Sequence, residues 1–383
     1  MRIHGTLLIV AVALVLNAGS CKHVPRSPVS KCMFHAADKR RHANLSQCLG
    51  ETRVDATKKE VSVSMVVSGS AGHIEEATAA LTSMLYFRTC PLHIYMLMDD
   101  ANLRLMMQRP PWNETGAHSL LKVSYITVPD HTENVTFGVS NTFHAKYSIL
   151  KATMDRLIPG TVDRLVAADI DVLWVGDVCD IESEFDGWHQ DAFIGVAPEE
   201  SGWYLQPDKV EGKFAISAEH PYKIDGVDGL NGGMIYYKLA KARAANWTGA
   251  WTDYIRGLQH PNPLPLGDQD VVNRFGTIAP QFIHILPNTW NHQLIHGNKC
   301  GTSVWHGLRV LHGNAGTTMT DTVTKHWWPL FAHADLDHHR GHTWQPHTSI
   351  DRCAARSFLA CLSREGAICD GTSFDFVVGL AHG

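Results

Sequence analysis

The sequence predicts an α/β fold built on a Rossmann-like sheet. Val61–Val67 is a strand-like run, a glycine-containing turn follows it, and a helix-compatible stretch from Ile74 to Phe87 leads to a second strand at His93–Met98. Strand, turn, helix and strand in this order form the βαβ unit of nucleotide-binding sheets. The chain has 383 residues, 44% of them hydrophobic, which is enough to bury a full core in one large domain.

The same alternation continues beyond this unit. Further strands are predicted at Val123–Val128, Arg164–Val175 and Ala192–Ala197, and a helix at Phe143–Leu157. Because the chain shows no internal repeat, these elements are assigned to one α/β domain that spans residues 60–345.

The segments on either side of this domain differ in composition. In residues 1–22, Arg2 precedes an apolar run that ends in small residues, which is the pattern of a secretory signal peptide. The run is also long enough for a type II membrane anchor, and both interpretations stay open. Residues 23–59 are predicted to be a stem or linker, and residues 346–383 a cysteine-containing tail. Whether residues 1–22 are a signal peptide or an anchor, they would direct the domain to the lumen of the endoplasmic reticulum or Golgi. The protein would then be secreted or be a type II membrane protein.

Sequons and cysteines fit the same compartment. Four Asn-x-Ser/Thr sequons begin at Asn44, Asn113, Asn134 and Asn246. Of the nine cysteines, Cys21 lies at the predicted cleavage edge, so that an even number remains. Because no Cys-x-x-Cys pair suggests zinc or redox chemistry, these cysteines are predicted to form structural disulfides or to be buried free thiols.

The charge balance excludes one class of partner. The chain has 33 Lys plus Arg residues and 38 Asp plus Glu residues, which gives a formal net charge of -5. Proteins that bind nucleic acid carry a basic surface because they must neutralise phosphates. Nucleic acid is therefore not expected to be a partner.

Two aspartates near the centre of the chain predict a metal site. Asp169 and Asp171 follow an apolar run, and side chains two apart in an extended segment point the same way. Such a pair is repulsive unless a divalent cation neutralises it, and oxygen ligands suit Mn²⁺ or Mg²⁺. A similar pair at Asp335 and Asp337 lies in a polar surrounding that is typical of solvated turns, so it is not assigned to the site.

Two polar clusters in the second half of the chain are candidates for ligand contacts. Asn231 and two glycines precede an apolar strand, where the amide can bond a sugar hydroxyl at close backbone approach. Asp268 and Gln269 come before a predicted helix. Helix capping explains one acidic residue at this place, but not the polar triplet that ends at Asp270.

Three further features each leave two interpretations. His312 ends a short apolar strand beside a glycine, which suits a third metal ligand, although most of the 24 histidines are expected to be structural. Lys146 either reaches a diphosphate or is an exposed helix lysine. The turn at residues 68–72 either approaches a phosphate or base with its backbone or is a plain tight turn.

Four short motifs follow one another in a specific order. They are Asp169-Ile170-Asp171, Asn231-Gly232-Gly233, Gly267-Asp268-Gln269-Asp270 and Leu311-His312-Gly313-Asn314. In order and spacing they resemble glycosyltransferase family 8, and within it the glucoside xylosyltransferases, which extend O-glucose on epidermal-growth-factor-like repeats. The likeness covers roughly residues 60–320. It implies a GT-A fold, Mn²⁺, UDP-xylose as the donor, a glycoprotein or glycan acceptor, and retention of the anomeric configuration.

The resemblance also implies roles for individual residues. Asp169, Asp171 and His312 would hold the metal, and Asp268 and Gln269 would be the catalytic pair beside the donor sugar. The residues that would bind the donor are Val67, Ser68, Gly69, Lys146, Asp169, Asn231, Gly232 and Gly313. The residues that would face the acceptor are Trp203, Tyr204, Trp290 and Asn291.

The sequence departs from the family pattern at one point. The family carries a lysine shortly after the His-Gly motif to bind the diphosphate, but residues 316–319 contain none, and Lys325 follows later. The missing lysine favours one alternative to UDP-xylose transfer, a catalytically inactive sugar-binding protein of the same fold. Another donor, such as UDP-glucose, UDP-galactose or UDP-glucuronate, is a second alternative, because the sequence does not show whether the donor pocket is closed where xylose lacks the C5 hydroxymethyl group.

Overall fold

A computed structural model describes the central part of the chain. The described residues are 54–67, 71–107, 120–128, 147–174, 176–200, 223–257, 264, 266–293 and 308–313. Outside them lie the N-terminal segment, most of the stem, the C-terminal tail, three of the four sequons, the second aspartate pair, and the predicted site residues Ser68, Gly69, Lys146, Trp203 and Tyr204. Among the described helices, none is long and apolar enough to cross a membrane.

A central sheet of seven strands organises the described residues. The strands of the described residues are β1 (Val61–Val67), β2 (Leu92–Met98), β3 (Leu121–Thr127), β4 (Arg164–Ala168), β5 (Val172–Trp174), β6 (Ile194–Pro198), β7 (Lys223–Ile224), β8 (Val227–Asp228), β9 (Leu230–Lys238), β10 (Ile283–Ile285), β11 (His292–Gln293) and β12 (Val310–His312). The central sheet has the order β10-β6-β9-β4-β1-β2-β3, and a smaller sheet has the order β11-β12-β5. β9 runs antiparallel to β4 and β6, whereas the other neighbours in the central sheet are parallel.

Helices cover both faces of the central sheet. They are α1 (Ala71–Phe87), α2 (Asp100–Met106), α3 (Met154–Leu157), α4 (Ile181–Asp186), α5 (Leu239–Ala244), α6 (Trp247–Gly257) and α7 (Asp268–Ile278). Alternate residues of a strand face opposite sides, so Met96 of β2 packs in the core that holds Ile74 of α1, and Leu97 in the core that holds Trp247 and Phe275. The predicted α/β architecture is confirmed.

The prediction of one continuous strand at Arg164–Val175 is wrong. β4 stops before Asp169, and β5 pairs with β12 in the smaller sheet. Between the two strands, the N–H of Asp169 donates to the carbonyl oxygen of Gly233 at 2.8 Å, and the carbonyl oxygen of Asp171 accepts the N–H of Gly313 at 2.8 Å. The backbone therefore changes hydrogen-bonding partners at the two aspartates, and hydrophobic periodicity does not register such a change.

The helix predicted at Phe143–Leu157 is also not one regular α-helix. Its described part contains a 3-10 helix at Ile149–Thr153, followed by α3. The carbonyl oxygen of Ala152 accepts the indole N–H groups of Trp247 and Trp251, at 2.9 and 3.0 Å. This carbonyl thus connects the segment to α6.

Two motifs occupy other positions in their strand or helix than predicted. Asn231 and Gly232 lie inside β9 and not ahead of it, because β9 begins at Leu230. α7 begins at Asp268 and Gly267 occupies the N-cap position, so the interpretation of Asp268 as the N-cap is wrong.

Within the part of the chain that the structure describes, a disulfide connects two segments of the domain. Cys90, just before β2, is bonded to Cys179, which lies in a 3-10 helix after β5. A hydrogen bond joins the same two segments, since the N–H of Thr89 donates to Asp177 Oδ1 at 3.1 Å. For the two cysteines that the structure describes, the disulfide alternative is confirmed.

Candidate active site

The topology brings the four motifs to one edge of the central sheet. Asp169 follows the carboxyl end of β4. Because β9 runs antiparallel to β4, the first residues of β9, including Asn231, lie near this end of β4. β12 ends at His312, and α7 begins at Asp268. In open α/β sheets, ligands bind outside the carboxyl ends of the parallel strands. The four motifs predicted from the sequence therefore meet where such a sheet has its ligand site.

Asp169, Asp171 and His312 form a group that could hold a metal ion. One ligand atom of each lies within 4.8 Å of the other two. His312 Nε2 is 3.4 Å from Asp171 Oδ1 and 3.7 Å from Asp169 Oδ2. The imidazole is buried, whereas both carboxylates are partly exposed. Two carboxylates and one imidazole fit Mn²⁺ or Mg²⁺, which take oxygen ligands and keep further positions for phosphate oxygens.

The two glycines of β9 make room for the site. A Cβ at Gly233 would overlap the imidazole of His312, and a Cβ at Gly232 would lie 2.9 Å from Asp268 Oδ2 and 3.0 Å from Gln269 Cβ. Only glycine allows so close an approach of the backbone. The two glycines thus leave the space that His312, a candidate metal ligand, and the predicted catalytic residues Asp268 and Gln269 occupy.

Lys151 is the main site residue that the sequence analysis missed. Its ammonium is buried, donates to Asp169 Oδ1, donates to the carbonyl oxygen of Gly232 at 2.7 Å, and lies 3.1 Å from Asp268 Oδ2. It therefore connects a predicted metal ligand with a predicted catalytic residue. A lysine within the apolar run Ile149–Met154 was the available signal, but such lysines more often extend their charge to solvent.

The contacts of Lys151 affect the charges of its partners. Burial on its own lowers the pKa of Lys151, but the carboxylates of Asp169 and Asp268 outweigh it and raise the pKa above its usual value. Burial raises the pKa of Asp268 to about 6, although Lys151 opposes the shift. Burial is also the main reason why the pKa of Asp169 is raised, again against Lys151. The lysine thus limits how far burial neutralises the two carboxyl groups.

The other two members of the metal-ligand group shift in opposite directions. Burial raises the pKa of Asp171, but the charge and hydrogen bond of His312 outweigh it, and the net pKa is lowered. Burial lowers the pKa of His312, but the carboxylates of Asp171 and Asp169 outweigh it, and the net pKa is raised. The opposite shifts indicate that the two aspartates and the imidazole interact electrostatically as one group.

The amides of Asn231 and Gln269 converge on Glu199. Oε2 of Glu199 accepts from Asn231 Nδ2 at 2.9 Å and from Gln269 Nε2 at 3.1 Å. At their other ends, Gln269 Oε1 accepts the N–H of Gly232 at 3.0 Å, and Asn231 Oδ1 accepts the N–H of Gly233 at 2.9 Å. Both amides belong to motifs that were predicted from the sequence, whereas Glu199 was not predicted, although it follows a buried strand as Asp169 does.

The described residues with predicted acceptor roles are Trp290 and Asn291, and both are buried. Trp290 Nε1 donates to Glu184 Oε2 at 3.2 Å, and Asn291 Nδ2 donates to Asn231 Oδ1 at 2.9 Å. Val67, predicted to bind the donor, ends β1 at the same sheet edge as Asp169. The acceptor roles of Trp290 and Asn291 and the donor role of Val67 stay predictions.

Known proteins support the predicted resemblance. Glucoside xylosyltransferase 1 of Rattus norvegicus is 26% identical over 286 residues, which cover 69% of this chain and 61% of that protein. Xylosyl- and glucuronyltransferase LARGE2 of Homo sapiens is 25% identical over 255 residues, which cover 64% of this chain and 33% of that protein. The chain thus spans between a third and three fifths of the length of these relatives. No protein-family model matches the chain.

A solved structure supports the fold. The crystal structure of mouse xyloside xylosyltransferase 1 in its apo form superposes with a TM-score of 0.52 at 20% sequence identity, and covers 68% of this chain and 99% of that chain. At this identity the likeness establishes the fold and not the activity. The predicted GT-A fold is therefore confirmed, and the sequence relatives confirm the resemblance to glucoside xylosyltransferases.

Proposed function

We propose that the protein is a metal-dependent, retaining glycosyltransferase that transfers xylose from UDP-xylose to an O-linked glucose on a protein. The observation that carries this proposal is the convergence of Asp169, Asp171 and His312 into one group beside Asp268, with Lys151 connecting the two parts. The names of the sequence relatives, which include glucoside xylosyltransferase 1, support the choice of reaction.

The proposed reaction separates the sugar from UDP at this sheet edge. A Mn²⁺ ion held by Asp169, Asp171 and His312 would neutralise charge on the departing diphosphate. Lys151 holds Asp169 and Asp268 at a fixed separation, because it contacts both carboxylates from a buried position. Sugar transfer has oxocarbenium-like character in the transition state, and the carboxylate of Asp268 would stabilise the positive charge on the sugar.

The choice of xylose rests on the relatives and has one competitor. Xylose lacks the hydroxymethyl group on C5, so a donor pocket that is closed at this point would favour it. The name of the second relative, LARGE2, includes a glucuronyltransferase activity as well. UDP-glucuronate is therefore the second candidate donor.

We propose that the protein works in the lumen of the secretory pathway, with residues 1–22 as a signal peptide or type II anchor. The Cys90–Cys179 disulfide supports this location, since disulfides persist in oxidising compartments. Asn246 starts a sequon and is exposed. Digestion of the secreted or membrane-bound protein with an N-glycosidase should lower its mass, and a protein recovered with free thiols at both cysteines would contradict this location.

A donor screen tests the proposed activity. The purified protein is incubated with UDP-xylose, UDP-glucose, UDP-galactose or UDP-glucuronate, with and without Mn²⁺, in the presence of an O-glucosylated repeat. We expect a product one pentose heavier, formed only with UDP-xylose and Mn²⁺. Asp171→Asn should abolish it, whereas Asp186→Asn, an exposed aspartate paired with Arg164, should not. Binding of a UDP-sugar without any transfer would instead favour the inactive sugar-binding protein.

A further inference from the structure

Glu199 is a carboxylate beside Asn231 and Gln269 that the proposed function leaves without a role. It follows β6, is half-buried, and its N–H donates to the carbonyl oxygen of Gly229 at 3.0 Å, which anchors its backbone to the start of β9. Its side chain accepts hydrogen bonds from Asn231 and Gln269 through the same oxygen, Oε2. Two side chains from different elements, β9 and α7, are thus joined by one acceptor.

This arrangement determines which end of each amide points where. The oxygen and nitrogen ends of an amide have nearly the same shape, so hydrogen-bonding partners decide the orientation. Glu199 receives the nitrogen end of both amides. The oxygen ends meet backbone N–H groups, those of Gly232 and Gly233. A reversed amide would place oxygen against oxygen at Glu199 and nitrogen against an N–H at the glycine.

We propose that Glu199 is a positioning residue that holds the amides of Asn231 and Gln269 in the orientation needed to contact the donor sugar. This inference rests on the proposed glycosyltransferase function and deepens it. Glu199 acts through the two amides and does not itself take part in the transfer. Its neighbour Glu200 has a different set of partners, since it accepts from Asn288 Nδ2 at 2.5 Å and from the N–H of Gln293 at 2.9 Å.

Two substitutions separate positioning from a role of the negative charge. Glu199→Gln keeps an oxygen that can accept from both amides, whereas Glu199→Ala removes the acceptor. If Glu199 positions the amides, Glu199→Ala should lower kcat about 10- to 100-fold, because small misplacements of contacting groups have effects of this size. Glu199→Gln should recover most of that loss. Equal damage from both substitutions, or none from Glu199→Ala, would overturn the inference.

A binding measurement gives a readout that does not require turnover. Calorimetry with Mn²⁺ compares the affinity for UDP with that for UDP-xylose. Glu199→Ala should leave UDP binding within about twofold of wild type and remove the additional affinity that the sugar provides. An equal loss for both ligands would indicate a merely structural role and overturn the inference. Glu182→Gln, a partly buried glutamate paired with Lys59 and Arg164, is the matched control and should change neither affinity.

The failure of this inference can be told apart from the failure of the proposed function. If wild-type protein transfers no sugar, the proposed function fails, but the affinity ratio still tests Glu199. If wild-type protein binds neither ligand, a crystal structure of the Glu199→Ala variant decides the question. The inference expects the amide of Gln269 to leave the N–H of Gly232, and an unchanged pair of amides would contradict it.

Discussion

Replacing Lys151 by methionine tests whether the buried ammonium holds the two halves of the site together. The lysine side chain is 2% exposed, and it contacts Asp169 and Asp268 at once. Methionine retains most of the side-chain volume but removes the charge, which leaves two neighbouring carboxylates without their cation. Loss of one partner of a buried ion pair typically destabilises a protein by about 3–5 kcal/mol. Because Asp169 is about one-third exposed and partly solvated, we expect a loss of about 3 kcal/mol.

The assay is urea denaturation with linear extrapolation, together with a double-mutant cycle. Asp268→Asn removes the carboxylate that burial already disfavours, so the variant with both substitutions should recover about 2 kcal/mol relative to Lys151→Met alone. Lys241→Met is the control, because Lys241 is exposed, and it should stay within about 0.5 kcal/mol of wild type. A Lys151→Met variant as stable as the control, or a double variant no more stable than Lys151→Met, would show that the buried ammonium does not stabilise the two carboxylates.

Three other substitutions test separate parts of the structure. Gly233→Ala should push the imidazole of His312 aside, because a Cβ would overlap it, and should weaken Mn²⁺ binding at least tenfold; calorimetry showing wild-type affinity would count against this. Burial raises the pKa of Asp270 to about 7, so the folded state binds a proton more tightly than the unfolded state, and this stabilisation is lost as pH rises. Between pH 5.5 and 8, the free energy of unfolding of wild type should therefore fall by about 2 kcal/mol more than that of Asp270→Asn. Equal pH profiles for the two proteins would contradict this expectation. Removing the disulfide with Cys90→Ala and Cys179→Ala together should destabilise the chain by up to about 4–5 kcal/mol, since it closes a long loop with a sequence separation of 89; an unchanged melting temperature would exclude a stabilising role.

The fold was largely predictable because each strand carries its own apolar pattern. The strand at Val61–Val67 has the predicted bounds, and the helix after it ends at Phe87 as expected. The break at Asp169–Asp171 could not be read in this way. The apolar residues before and after the pair are buried, so the apolar pattern continues through the break. The exchange of backbone partners depends on β12, which comes much later in the chain.

The candidate site was predictable only where its residues belong to motifs. Asp169, Asp171 and His312 were found because two carboxylates and an imidazole at strand ends are typical of metal sites, and the structure brings them together. Lys151 and Glu199 belong to no motif that the sequence analysis used. Each acquires its place only when separate elements pack together, since their partners come from other strands and helices.

We propose that Asp169, Asp171 and His312 hold a divalent cation on which UDP-sugar turnover depends. The most direct measurement is UDP release from UDP-xylose by wild-type protein and by His312→Ala, each titrated with Mn²⁺ after treatment with a chelator. We expect turnover that vanishes with the chelator, returns with Mn²⁺ in wild type, and requires at least tenfold more Mn²⁺ in the variant. Turnover that survives the chelator, or the same Mn²⁺ dependence in both proteins, would contradict the claim.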